Sequence, residues 1–166
     1  MQNIEAVIQF LNQRELSVTT AESCTAGLAA AMMADISGCG TALQSGFVVY
    51  TEEAKHNYLN VSLQTIQTFG LTSEEVAKEM AIGALHKSSA DIVLAITGTA
   101  ESDDDLNGVI CFAYAVRTPN GYRLLSESKS FNGDRNQVRR AAATHALVSL
   151  PVVYEKIQSY PEIPSP

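Results

Sequence analysis

Apolar positions along this chain change their spacing several times, and each change marks an element. Ile4, Val7, Ile8 and Leu11 recur at helical spacing between Asn3 and Arg14, which predicts an amphipathic first helix. Val18, Thr19 and Thr20 are β-branched and open a short strand. The chain then turns through Glu22-Ser23-Cys24-Thr25, and from Ala26 to about Ile36 a run of Ala, Leu and Met predicts a second helix. Gly38 and Gly40 mark a turn. Residues 46–50 form a compact apolar run that reads as a buried strand, and Thr51 caps the helix after it, with Glu52 and Glu53 in its first turn. Residues 62–69 read as a short helix broken at Gly70. Thr72 or Ser73 then starts a longer helix that ends near Ser88 and Ser89.

Residues 91–97 are the strongest strand signal. Ile92, Val93, Leu94, Ala95 and Ile96 are consecutive and apolar, as a strand covered on both faces requires. Gly98 ends it, and 99–107 form a polar, acidic loop. Residues 109–116 and 122–131 read as two strands joined through Thr118-Pro119-Asn120-Gly121, where Asn-Gly signals an antiparallel hairpin. An Ala-rich helix follows from Asp134 to about Leu150, kinked or ended by Pro151. The proline-rich end, from Tyr160 onward, reads as loose. This order predicts an α/β fold: one three-layer α/β/α domain over 1–158, its mixed sheet ending in an antiparallel hairpin, and a tail over 159–166.

Composition narrows the function classes. A chain of 166 residues with 46% hydrophobic and 17% charged residues is globular, not disordered. A net charge of −7 argues against nucleic-acid or anionic-membrane partners. Cys24, Cys39 and Cys111 are widely spaced and odd in number, so they read as free thiols in a reducing compartment. No basic N-terminal region and no long uninterrupted apolar run are present, which predicts a soluble, cytoplasmic protein. His56, His86 and His145 share no metal spacing, and the run Asp103-Asp104-Asp105 reads as a solvated turn, so neither metal nor cofactor is expected.

The turn after the first strand is the place where chemistry is expected. Amides of a first helical turn favour an anion, while Ser23 and Thr25 also suit helix capping. Cys24 is either a rival nucleophile at a helix start or a small packed hydrophobe. Arg135 and Arg139 lie four apart and share a helix face beside Arg140, fit either to clamp a phosphate or to pair with acids in solvent.

Five separated segments carry a family likeness: Thr20-Ala-Glu-Ser-Cys-Thr-Ala-Gly27, Gly46-Phe-Val-Val-Tyr-Thr-Glu-Glu-Ala-Lys55, Glu79-Met-Ala-Ile-Gly-Ala84, Ile96-Thr-Gly98 and Phe131-Asn-Gly-Asp-Arg-Asn-Gln-Val-Arg139. In order and spacing they resemble the CinA C-terminal domain, the family of the nicotinamide mononucleotide deamidases, over roughly residues 4–154. The resemblance implies an amidohydrolase that takes a small nucleotide or amide substrate. It would release ammonia from nicotinamide mononucleotide (NMN) and leave nicotinic acid mononucleotide. It also implies a stand-alone form of the domain and a homodimer. Amide hydrolysis needs a nucleophile, a proton acceptor and donors for an oxyanion. The matched positions offer Ser23 as nucleophile, Lys55 and Tyr50 for proton transfer, and Glu22, Thr25, Thr97, Gly98, Arg135 and Arg139 for substrate binding. A lysine serves as base only when its pKa falls well below ~10.

Three departures from the family pattern stand out. The usual glycine-rich loop Ala-Gly-Pro-x-Gly-Gly is replaced by Ala100-Glu-Ser-Asp-Asp-Asp-Leu-Asn-Gly108, with four carboxylates. Ala26 stands for the first glycine of Cys-Thr-Gly-Gly, and Gly38-Cys39-Gly40 for Gly-Ser-Ser. Two readings follow: an amidohydrolase centred on Ser23 and Lys55, or a catalytically silent relative that binds or regulates. The acidic loop is expected to border the Ser23 pocket and to repel a phosphate there.

Overall fold

The computed structural model describes residues 2–166, so Met1, the first residue of the expected domain, lies outside them. Six strands form one sheet: β1 Val18–Glu22, β2 Leu43–Val48, β3 Ile92–Gly98, β4 Val109–Thr118, β5 Gly121–Ser130 and β6 Ile163–Pro164. Their order is β2-β1-β3-β4-β5-β6. β1 runs parallel to β2 and β3, and every later pairing is antiparallel, so the sheet is mixed. Among the described residues seven α-helices accompany it: α1 Gln2–Gln13, α2 Leu28–Ala34, α3 Glu52–Leu59, α4 Leu63–Phe69, α5 Glu74–Lys87, α6 Arg135–Val148 and α7 Leu150–Ile157. No described helix is long and apolar enough to cross a membrane.

The two-residue period of a strand divides the core. Ile92, Leu94 and Ile96 of β3 face α1, α2, α6 and α7, joined by Leu11, Met33, Phe112 and Leu147. Val93 and Ala95 face the other way, onto Val76, Met80 and Leu85 of α5. Six of the seven β3 residues are fully buried, which is why that segment carries no polar alternation. Gly83 lets α5 approach the end of α3: a Cβ there would stand 1.9 Å from the Leu59 carbonyl oxygen.

Several elements differ from the sequence reading. The apolar run 46–50 predicts a buried strand, yet β2 is an edge strand with alternating exposure, and Val48 is 54% exposed. The hairpin turns on Pro119 and Asn120, with Thr118 paired to Gly121. Asn-Gly therefore does not form the turn pair. Gly121 has another task, since a Cβ there would meet the Ile163 carbonyl oxygen at 1.9 Å. The tail is not loose. Ile163 and Pro164 pair with Tyr122 and Gly121, and Ser165 N–H donates to the Asn120 carbonyl at 3.1 Å. Proline is tolerated there because an edge strand leaves half its donors unused. Pro151 ends one helix and starts another, at a first-turn position where no N–H is needed.

Candidate active site

The loop 23–27 leaves the carboxyl end of β1 between the ends of its two parallel neighbours. Ser23 N–H donates to the Ile96 carbonyl at 2.9 Å, and Val49 N–H to the Glu22 carbonyl at 2.9 Å. Below the loop Glu22 is fully buried. Its carboxylate accepts from Thr25 Oγ1 at 2.7 Å, Ala29 N–H at 2.9 Å, Thr20 Oγ1 at 3.0 Å and Ala30 N–H at 3.1 Å. The anion expected at the start of α2 is thus the protein's own. This geometry bears on two sequence expectations. The α2 amides are already engaged and cannot receive an oxyanion, and Glu22 and Thr25 hold the loop together where substrate contact was expected. The helix begins after Gly27 with no side-chain cap, so neither Ser23 nor Thr25 caps it.

Lys55 is 1% exposed, and no carboxylate pairs with it among the described residues. Thr51 caps α3 by accepting from Ala54 N–H at 3.0 Å, which sets the helix start and turns Lys55 inward. Its Nζ donates to Ser23 Oγ at 2.8 Å, the Tyr50 carbonyl at 2.9 Å and the Val49 carbonyl at 3.1 Å. Burial pulls its pKa down to about 8, against the opposing influence of the Cys24 thiol and Glu52. An ammonium has three N–H groups for these three oxygens, whereas a neutral amine has two and a lone pair. Carbonyls only accept, so in the neutral state the lone pair faces the Ser23 hydroxyl. One geometry therefore serves both protonation states.

Tyr50, expected to transfer protons through its phenol, enters this cluster through its carbonyl, which also accepts from Ser23 Oγ at 3.4 Å. The phenol is half exposed, and its oxygen accepts from Arg135 Nη2 at 2.7 Å. That pair borders a cavity of about 230 Å³, whose walls include Cys24, Thr72, Gly98 and Glu101. Thr97 lies beneath it, fully buried, and donates to the Leu71 carbonyl at 3.0 Å. Neither this cavity, which Cys24 next to the nucleophile candidate borders, nor a larger cleft of about 350 Å³ between β5 and α7 is lined by Ser23 or Lys55. Cys24 is buried in the core, and burial pushes its thiol up to about 11, which favours the packed reading over a nucleophile.

The acidic loop is folded on itself. Asp104 accepts from Ser102 Oγ at 2.7 Å and Leu106 N–H at 3.0 Å, contacts that hold its carboxyl below the usual range. Of its four carboxylates only Glu101 borders the cavity, which Arg135 also lines. Arg139 faces inward on the Ser23 loop: Nε donates to the Cys24 carbonyl at 2.8 Å and Nη2 to the Thr25 carbonyl at 3.1 Å. Sequence reasoning missed the two carbonyls that hold Lys55. Backbone acceptors leave no side-chain signal, and only the end of a strand before a capped helix hints at them.

The CinA C-terminal domain family matches residues 1–153. The nicotinamide-nucleotide amidohydrolase PncC of Escherichia coli strain K12 is 40% identical over 154 residues, 90% of this chain and 92% of that one. A CinA-like protein of Chlorobium chlorochromatii is 44% identical over 147 residues, 86% of this chain but 34% of that longer protein. The crystal structure of competence/damage inducible protein CihA from Agrobacterium tumefaciens superposes with a TM-score of 0.84 at 33% identity, covering 92% of this chain and 96% of that one. A CinA superfamily protein from Escherichia coli also gives 0.84, at 32% identity over 91% of this chain and 88% of the other. With a family match across nearly its whole length, this chain belongs to the CinA C-terminal domain family.

Proposed function

We propose that this protein hydrolyses the carboxamide of NMN to nicotinic acid mononucleotide and ammonia, with Ser23 as nucleophile and Lys55 as its general base and acid. The observation that carries the reading is the fully buried Lys55 amine, 2.8 Å from Ser23 Oγ and without a counter-charge. A merely structural lysine gains nothing from such a place, whereas a base needs its lowered pKa. The name of the Escherichia coli relative points to the same substrate class.

The reaction follows from the hydrogen bonds. Neutral Lys55 takes the Ser23 proton as Oγ attacks the carboxamide carbon, and the carbonyl oxygen becomes an oxyanion. Lys55 returns that proton to the amide nitrogen, the C–N bond breaks, and ammonia leaves an acyl ester on Ser23. Water, activated by the same amine, then attacks the ester, releasing the acid and restoring Ser23. Arg135 at the mouth of the cavity is the cation for the nucleotide phosphate, steadied by the Tyr50 phenol. The three free thiols fit the reducing cytoplasm as its setting.

One observation favours a silent binding role: Glu101 sets a carboxylate on the same cavity. Ammonia release from NMN by wild type, Ser23→Ala and Lys55→Met decides between them. Turnover lost in both variants supports the amidase. Tight NMN binding by wild type with no ammonia released would overturn it in favour of the silent relative.

A further inference from the structure

The proton transfer just described leaves its oxyanion without a donor, and leaves Arg139 without a part. The α2 amides of Ala29 and Ala30 are engaged by Glu22, and the Ser23 amide by Ile96. Arg139 grips the next two peptides from one side, through the Cys24 and Thr25 carbonyls at 2.8 and 3.1 Å. In a planar trans peptide the N–H points opposite to the C=O, so fixing a carbonyl fixes the amide that shares its plane. The Cys24 carbonyl shares a plane with the Thr25 N–H, and the Thr25 carbonyl with the Ala26 N–H. That Ala26 N–H in turn donates to the Ser23 carbonyl at 3.0 Å, which fixes the peptide carrying the Cys24 N–H. The guanidinium therefore sets both amides that follow the nucleophile. Among the described residues no other residue accepts from the Cys24 N–H, and Cys24 borders the cavity, whereas Thr25 is fully buried.

Strain in the same loop shows that something must hold it. Ala26 has φ 48, a left-handed conformation that a residue with a Cβ keeps only when its surroundings impose it. Asn136 Oδ1 accepts from Arg139 Nη1 at 3.2 Å, so all three guanidinium nitrogens are committed and the group is poorly placed to bind a phosphate.

We infer that Arg139 is a positioning residue: it holds the peptides after Ser23 so that the Cys24 N–H, on the residue that borders the cavity, receives the oxyanion. The inference rests on Ser23 being the nucleophile. It differs from a phosphate clamp in what it does to the kinetics. A clamp acts on KM and only for a phosphorylated substrate, whereas a misplaced oxyanion donor lowers kcat for any carboxamide.

The test compares wild type, Arg139→Ala and Arg139→Lys on NMN and on nicotinamide riboside, which has the same ring without the phosphate. A second readout needs no substrate: the rate at which phenylmethylsulfonyl fluoride labels Ser23, followed by intact mass. There Ser23 Oγ bonds to sulfur, the S–F bond breaks, fluoride leaves and the hydroxyl proton passes to Lys55. In Arg139→Ala we expect kcat to fall about 10²–10³-fold, the cost of losing an oxyanion donor, with KM within about threefold on both substrates. Labelling should slow at least about tenfold, and added guanidinium should restore much of both rates, as it fills the vacated space. Arg139→Lys, which can reach one carbonyl, should fall between; it carries the test if the alanine variant does not fold. A loss confined to KM for NMN and absent for the riboside would overturn the inference, as would unchanged labelling. If Ser23→Ala hydrolyses NMN at the wild-type rate, the nucleophile reading fails and takes the Arg139 role with it. A dead Ser23→Ala beside a fully active Arg139→Ala overturns the Arg139 role alone.

Discussion

Two charged side chains lie fully buried on either side of the Ser23 loop, and their surroundings are opposite. Glu22 has four hydrogen-bond donors, two of them α2 amides, and no need of anything further. Lys55 has two carbonyls and one hydroxyl, and among the described residues no carboxylate pairs with it. A buried carboxylate satisfied in this way is scaffold, because its hydrogen bonds favour the charged form that burial opposes. A buried ammonium without a partner is poised to lose its proton, and that is a property chemistry can use. Satisfaction of the charge, more than burial, separates the two roles.

The most direct way to break this comparison is to remove the two charges separately. Lys55→Met should lower ammonia release about 10³-fold or more while raising stability at pH 7 by about 1–3 kcal/mol in urea titrations, since an uncompensated charge is gone. Glu22→Ala should do the reverse in kind. We expect a loss of about 3 kcal/mol, from the stranded Ala29 and Ala30 amides and Thr25 hydroxyl, with activity falling in step with the folded fraction. Equal destabilisation by both variants would refute the distinction.

pH sharpens it. The Lys55 pKa falls from 10.5 to about 8 on folding, so activity should rise with pH through about 8 as the amine becomes neutral. Between about 8 and 10.5 the unfolded chain holds the proton that the folded one has released, so stability rises with pH across that window. The cost of burial is fully present below 8 and gone above 10.5, a span of about 3 kcal/mol at most. Lys55→Met should flatten that rise; a slope that survives the substitution belongs to other groups.

The smallest effects concern the cavity mouth. Glu101→Gln should lower KM for NMN about two- to fivefold, the scale of one partly screened carboxylate near a phosphate. Asp103→Asn with Asp105→Asn should leave KM within about twofold, because neither residue borders the cavity. A larger effect of the aspartate pair than of Glu101 would restore the expectation of a broadly repulsive loop.

Much of the fold was legible because its signals are local. Ser62, Ser73 and Asp134 each cap a helix through a side chain, as residue type and position suggest. β3 announces itself by five apolar residues in a row. What escaped depends on distant partners. β2 is exposed because it stands at the edge, which its own apolar run does not reveal. Gly121 mimics a turn residue but serves a strand more than forty positions later. In the site, Ser23 and Lys55 stand 32 residues apart, and family resemblance brought them together before geometry did. Resemblance named Tyr50, Glu22 and Arg139 too, but it conveys identity without orientation. Only coordinates show a carbonyl in place of a phenol, a carboxylate turned under a helix and a guanidinium turned onto a loop.

The tail strand has a practical consequence for anyone handling this protein. Two paired residues and one further amide cover the outer backbone of β5 beside the hairpin. Cutting the chain after Tyr160 would bare that row of donors and acceptors to other molecules, and exposed sheet edges are where chains stick together. Affinity tags and fluorophores are therefore better attached away from Pro166, and unexplained turbidity in a shortened preparation has a ready physical origin.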